Sequence, residues 1–240
     1  MTLPTTLRIL LLALATVGNP VAAAELQHHG HFKRMMHTGD TVGQVALAEL
    51  PAGRGHWGVG ALAGLRGELV MLDGRLLVSR GADPSGRVSE ARSGEQAVLW
   101  AGAPVEAWQD QRLEAPLDLA QMEVVLRERV RAQGRDPALP FVFLIEGRMA
   151  ALRWHVVTGE ASTHVKHSGH ANTKSGMHVF DEPGTQDLLV GIYSGSALEG
   201  VVSHPGERLH LHFVSDDRTR SGHVDALQLV AGAVLRLPKP

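Results

Sequence analysis

Apolar positions along this chain fall into short runs separated by glycine, proline and charged turns, the rhythm of a strand-rich protein. In GELVMLDGRLLVS, residues Leu69 to Leu72 and Leu76 to Val78 flank Asp73-Gly74. That spacing predicts a hairpin, because both turn positions tolerate the left-handed backbone a two-residue turn needs. AVLWAG (97–102) predicts another strand, and VGQVALAELP (42–51) a short helix or strand. PFVFLIEGRMAALRWHVV (140–157) predicts a second hairpin turning at Glu146-Gly147. DLLVGIYSG (187–195), RLHLHFVS (208–215) and HVDALQLVAGAVLRL (223–237) read as strands. ELQHHGHFKRMMHTG (25–39) is polar, with Phe32, Met35 and Met36 as candidate core contacts, and EASTHVKHSGHANTKSGMH (160–178) reads as a mobile loop.

One segment breaks the rhythm. Leu119, Met122, Val125, Leu126 and Val130 recur at helical spacing, while Glu123, Arg127, Glu128 and Arg131 fall on the opposite face. Asp118 can cap this helix, Gln121 can reach back to close a capping box, and Gly134 ends it. The expected architecture is α+β and sheet-rich: two packed β subdomains with one clear amphipathic helix. Residues 25–150 would form an N-terminal sheet subdomain carrying the helix at 118–133, and residues 151–240 a C-terminal β subdomain. No internal repeat is evident.

Composition changes this picture in two places. The 240 residues include 14 histidines and no cysteine, so a metal site must use nitrogen and oxygen ligands. A formal net charge of −2 gives no broad attraction to nucleic acid or anionic membrane. The first 24 residues resemble a signal peptide. Arg8 precedes an apolar run from Ile9 to Val17, Asn19-Pro20 breaks it, and Ala22 and Ala24 fit the small-residue cleavage rule. The run is too short to span a bilayer. The expectation is an exported protein, periplasmic or secreted, cleaved after Ala24, with no lasting membrane insertion.

The candidate chemistry lies in LHLHFVSDDRTRSGHV (209–224). On a strand, His210 and His212 project from one face while Leu209, Leu211 and Phe213 take the other. VSDDRTRSG is turn chemistry that can fold the chain back and set His223 beside them. Three imidazoles around one point are what an open catalytic zinc site requires. The alternative is a set of hydrogen-bonded core histidines. His28, His29, His31 and His37 near the mature N-terminus and His164, His167, His170 and His178 in the loop are further imidazoles. They are either solvated or, as in HVKHSGH, candidates for a second metal.

This segment resembles the zinc-binding segment of alpha-acetolactate decarboxylases, which has the form HLHF-x-S-[DE]-D-R-x-x-GGHV. The match covers His210, His212, Phe213, Ser215, Asp217, Arg218, Gly222, His223 and Val224 without a gap, and Ser221 replaces the first glycine of the pair. GVGALAGLRGELVMLDG (58–74) is similar to the family's GLGTFNALDGELI-x-LDG and sets Glu68 on its active-site glutamate. The resemblance extends over most of residues 32 to 238. It implies a Zn2+-dependent carboxy-lyase that turns 2-acetolactate, or a similar 2-hydroxy-3-oxo acid, into acetoin. His210, His212 and His223 would be the metal ligands and Glu68 the proton donor, or a group that orients a metal-bound water.

Two departures accompany it. Ungapped counting sets His155 at the family's substrate-binding arginine, with Arg153 on the same strand face as the other candidate for holding a substrate carboxylate. The family also continues into an acidic tail that returns a glutamate to the metal, whereas this sequence ends at Pro240. The expectation is that Glu68 works without that carboxylate, that another group replaces it, or that decarboxylase activity is lost. The implied partner is a small-molecule substrate, with a homodimer left open. The alternative function is a non-catalytic exported protein that binds metal or a small molecule on the same scaffold.

Overall fold

A computed structural model describes residues 25–159 and 176–240. The signal-like stretch and residues 160–175, which include His164, His167 and His170, lie outside the described residues.

Chain order builds the first sheet almost without interruption. Its elements are β1 (Gln27–His29), a short helix α1 (Phe32–Thr38), β2 (Val45–Ala46), β3 (His56–Leu62), β4 (Gly67–Leu72), β5 (Arg75–Arg80), β6 (Val88–Ser89) and β7 (Gln96–Pro104). The strands are antiparallel in the order β1-β7-β3-β4-β5-β6, with β2 added to β7. The expected β4–β5 hairpin is present. Asp73 and Gly74 both take positive φ, 50° and 82°, which matches the turn to the strands' twist. VGQVALAELP is both options at once, β2 followed by a single 3-10 turn at Leu47–Glu49.

The second sheet contains β8 (Trp108–Arg112), β9 (Phe141–Val157), β10 (Met177–Tyr193), β11 (Leu209–Ser215), β12 (Ser221–Leu229) and β13 (Val234–Pro238). Its order is β10-β11-β12-β9-β13-β8, and β10 also pairs with β9 along most of its length. The pairings β9–β10, β10–β11, β11–β12 and β12–β9 therefore close on themselves. The helix α2 (Leu119–Ala132) buries Met122, Leu126 and Val130 into the core of this sheet. Each such side chain contributes about 1.5–3 kcal/mol on burial. Its capping box forms as expected: Asp118 accepts from the Gln121 amide at 2.9 Å and Gln121 accepts from the Asp118 amide at 2.9 Å.

Two expectations are corrected. Glu146-Gly147 is not a turn: β9 runs straight through it for 17 residues, and its hairpin partner is β10. Gly147 is required by packing instead, because a Cβ there would lie 2.4 Å from the Ala233 Cβ. The division expected near residue 150 falls inside β9. The chain changes sheets between Pro104 and Trp108, so α2 belongs with the second sheet. At residue 150 the strand has an irregularity: Leu229 pairs with Met149 and Gln228 with Ala151. The inward-facing positions change parity there, from Phe141, Phe143 and Ile145 to Leu152, Trp154 and Val156.

The two sheets pack face to face through Val59, Val70, Leu72 and Leu77 on one side and Val142, Leu144, Val190, Ile192 and Val214 on the other. This contact positions the site. On β4, Glu68 shares its face with Val70 and Leu72, so it points at the second sheet. On β11, His210 and His212 share their face with Val214, so they point back at the first.

Candidate metal centre

His212 on β11 pairs directly with His223 on β12, and His223 pairs with His155 on β9. The result is a row of imidazoles across three neighbouring strands, with His210 two residues along β11. One ligand nitrogen from each of His210, His212 and His223 can be chosen so that all three lie within 4.8 Å of one another. His210 and His212 are buried, 3% and 0% exposed, and His223 is half-buried.

Hydrogen bonding assigns a tautomer. His210 Nδ1 lies 2.8 Å from the Val202 carbonyl. A carbonyl only accepts, so Nδ1 carries the proton and Nε2 offers its lone pair. That Nε2 is 3.2 Å from His212 Nε2. Two nitrogens on one tetrahedral zinc, at about 2.0–2.1 Å each, stand about 3.3 Å apart. The donor set therefore fits a divalent ion. Protonation states agree: burial pushes His210 down to about 4, and burial, then neighbouring imidazoles, hold His212 and His223 well below the ordinary histidine range. All three are neutral at pH 7, as metal ligands must be.

Glu68 completes the cluster from the opposite sheet. Its side chain is 5% exposed, with Oε2 3.6 Å from His212 Nε2 and Oε1 4.0 Å from His155 Nε2. The Val157 amide donates to Oε1 at 3.3 Å. Burial pushes its pKa up to about 7, against the opposing pull of His155 and the Val157 amide. A carboxyl group so placed holds a proton near neutrality and can release it into the site.

The two candidates for the carboxylate-holding position separate. His155 lies in the site, its ring 5.0 Å from that of His223. Its Nδ1 is 2.8 Å from Asp225 Oδ1. Burial disfavours its charged form, but Asp225 and Glu68 outweigh that and raise its pKa. Arg153 does not join it. Its guanidinium reaches across to β10 and binds Asp181 through Nε at 2.8 Å and Nη2 at 3.0 Å. Both partners are more than half exposed.

Sequence reasoning passed over Asp225 and His204 here, and read Phe32 only as a core contact. Asp225 is two residues beyond His223, but the bulge it forms breaks the register on which same-face counting relies. His204, in the turn before β11, has its ring 6.1 Å from His223 and 4.0 Å from Phe32. Phe32, at the start of α1, also approaches His210 edge-on at 6.4 Å. No periodic signal marks His204, because it lies outside any strand. Of the other histidines, His31 caps α1 through Nδ1, and His178 Nε2 is 2.9 Å from the Gly81 carbonyl. Among the described residues only His210, His212 and His223 form a group able to hold a metal.

A family model described as alpha-acetolactate decarboxylase matches residues 27–236. Two curated relatives carry the name alpha-acetolactate decarboxylase. The one from Methanosarcina mazei is 26% identical over 179 residues, 74% of this chain and 57% of the relative. The one from Streptococcus thermophilus is 28% identical over 170 residues, 71% of this chain and 66% of the relative. The chain thus spans less than two thirds of the length of either. A crystal structure of acetolactate decarboxylase from Bacillus subtilis subspecies spizizenii superposes with a TM-score of 0.70 at 18% identity. It covers 90% of this chain and 87% of that one, a likeness of fold.

Proposed function

The chain belongs to the alpha-acetolactate decarboxylase family, and from that premise we propose that it is a zinc-dependent carboxy-lyase converting 2-acetolactate, or a similar short 2-hydroxy-3-oxo acid, to acetoin and carbon dioxide. The observation that carries this reading is the meeting of His210, His212 and His223 with Glu68 between the two sheets. A set of neutral imidazoles without thiolate suits zinc among the common divalent ions. His210, His212 and His223 would hold it. When bound, the ion supplies positive charge against which the electrons left by the departing carboxylate can be delocalised.

The protein's own groups account for the rest. Decarboxylation breaks one carbon–carbon bond, leaves its electron pair on the substrate, and consumes one proton at that carbon. Glu68 is the group positioned to deliver it, and its raised pKa keeps the proton available near neutral pH. His155 faces the same space from the next strand and receives the substrate's carboxylate in the place where the family resemblance expects an arginine. The two packed sheets exclude bulk water from Glu68, His210 and His212, which strengthens each of these interactions. The signal-like residues 1–24 support export, and N-terminal sequencing of the mature protein would test it.

Purified mature protein supplied with zinc and racemic 2-acetolactate should release acetoin, and chelation should abolish the release. A zinc-replete protein that produces none would overturn the reading and favour the non-catalytic metal-binding alternative.

A further inference from the structure

β12 is irregular beside the site. His223 pairs with His155 and Val224 with Trp154, but the next residue paired on β12 is Ala226, opposite Arg153. Asp225 is thus an extra residue in the ladder. Regular pairing would set it directly across from Arg153, where the two charges would meet. The bulge re-aims it, as bulges beside functional sites do. Arg153 instead binds Asp181 on β10, and Asp225 takes His155 Nδ1 at 2.8 Å. The other ring nitrogen, Nε2, faces Glu68. Side-chain exposure rises from 5% at Glu68 through 13% at His155 to 33% at Asp225. The Asp225–His155 pair therefore lies on the solvent side of the buried carboxyl group.

We propose that Asp225 is a positioning residue, which fixes the His155 ring with Nε2 turned into the site so that it receives the carboxylate of an incoming 2-hydroxy acid. The inference rests on the decarboxylase reading for the identity of the ligand, and on the bulge for the position of the ring. An unrestrained imidazole flips about its terminal torsion and exchanges its proton between two nitrogens. The contact between Nδ1 and Asp225 Oδ1 at 2.8 Å selects one orientation, with Nε2 on the Glu68 side. A guanidinium presents its donors in a rigid fork and needs no such partner to be oriented. Replacing it by an imidazole makes the second residue necessary.

The test uses zinc-loaded mature protein and two stable probes. 2-Hydroxyisobutyrate carries the hydroxyl and carboxylate, and acetoin carries no carboxylate. By calorimetry, Asp225→Ala should bind 2-hydroxyisobutyrate at least about tenfold more weakly than wild type, with acetoin affinity and zinc content unchanged. Asp225→Asn keeps an acceptor oxygen and should lose less. Nitrogen-15 spectra of wild type should show the His155 proton on Nδ1, and Asp225→Ala should lose that fixed state. Equal 2-hydroxyisobutyrate affinities, or a parallel loss for acetoin, would overturn the proposal. So would a wild-type His155 with a bare Nδ1, which needs no variant to observe. If the binding differences hold but wild type makes no acetoin from acetolactate, the decarboxylase reading fails and the role of Asp225 stands.

Discussion

Glu68→Gln separates catalysis from folding, because the structure gives the two opposite signs. The substitution is nearly isosteric and keeps a group able to accept from the Val157 amide. It removes the only proton the side chain can deliver. General acid catalysis is worth about 10²–10⁴-fold, so kcat should fall by at least about a hundredfold. Stability of the metal-stripped protein should move the other way. Burial raises Glu68 from its ordinary 4.5 to about 7, a preference for the neutral acid of about 3 kcal/mol. Because the folded pKa lies above the unfolded one, this group's contribution to stability is fully present below pH 4.5 and is lost as pH rises through 7. Glutamine never ionises and escapes that loss. The metal-stripped variant should therefore match wild type near pH 4.5 and be more stable at pH 8, by up to about 3 kcal/mol. Acetoin release gives the first quantity and urea unfolding in chelator at the two pH values gives the second. A variant with unchanged turnover, or one less stable than wild type at pH 8, would refute the reasoning.

Other substitutions probe the residues around the site. Arg153→Ala should leave the KM for acetolactate and the zinc content unchanged, since its guanidinium is committed to Asp181 on an exposed face; a raised KM by steady-state assay would return Arg153 to the site. Asp118→Ala removes the cap and the capping box of α2 and should cost about 1 kcal/mol of stability, seen as a lower Tm with turnover per folded molecule unaltered.

The legibility of the fold followed the range of the forces involved. α2 was readable in full because apolar spacing, N-cap, capping box and terminal glycine all agree within a single stretch. The β4–β5 hairpin was readable because its turn chemistry is local. Glu146-Gly147 misled for a physical reason. A glycine can answer either a turn or a close approach, and here Ala233, far along the chain, makes the demand. The meeting of His210, His212 and His223 was legible because i, i+2 spacing fixes a strand face and the turn between β11 and β12 is short. The choice between Arg153 and His155 was not legible. Asp181 reaches Arg153 from a strand beyond residues 160–175, and the bulge at Asp225 changes the register that same-face counting assumes.

The central claim is that His210, His212 and His223 hold one catalytic ion. Metal-stripped wild type and His212→Ala should each be titrated with zinc, with bound metal and acetoin release followed in the same samples. The account predicts that wild-type activity rises in proportion to bound zinc and saturates at one ion per chain, while His212→Ala neither retains zinc through desalting nor gains activity. Full stoichiometric zinc in His212→Ala, or acetoin release from wild type without bound metal, would contradict it.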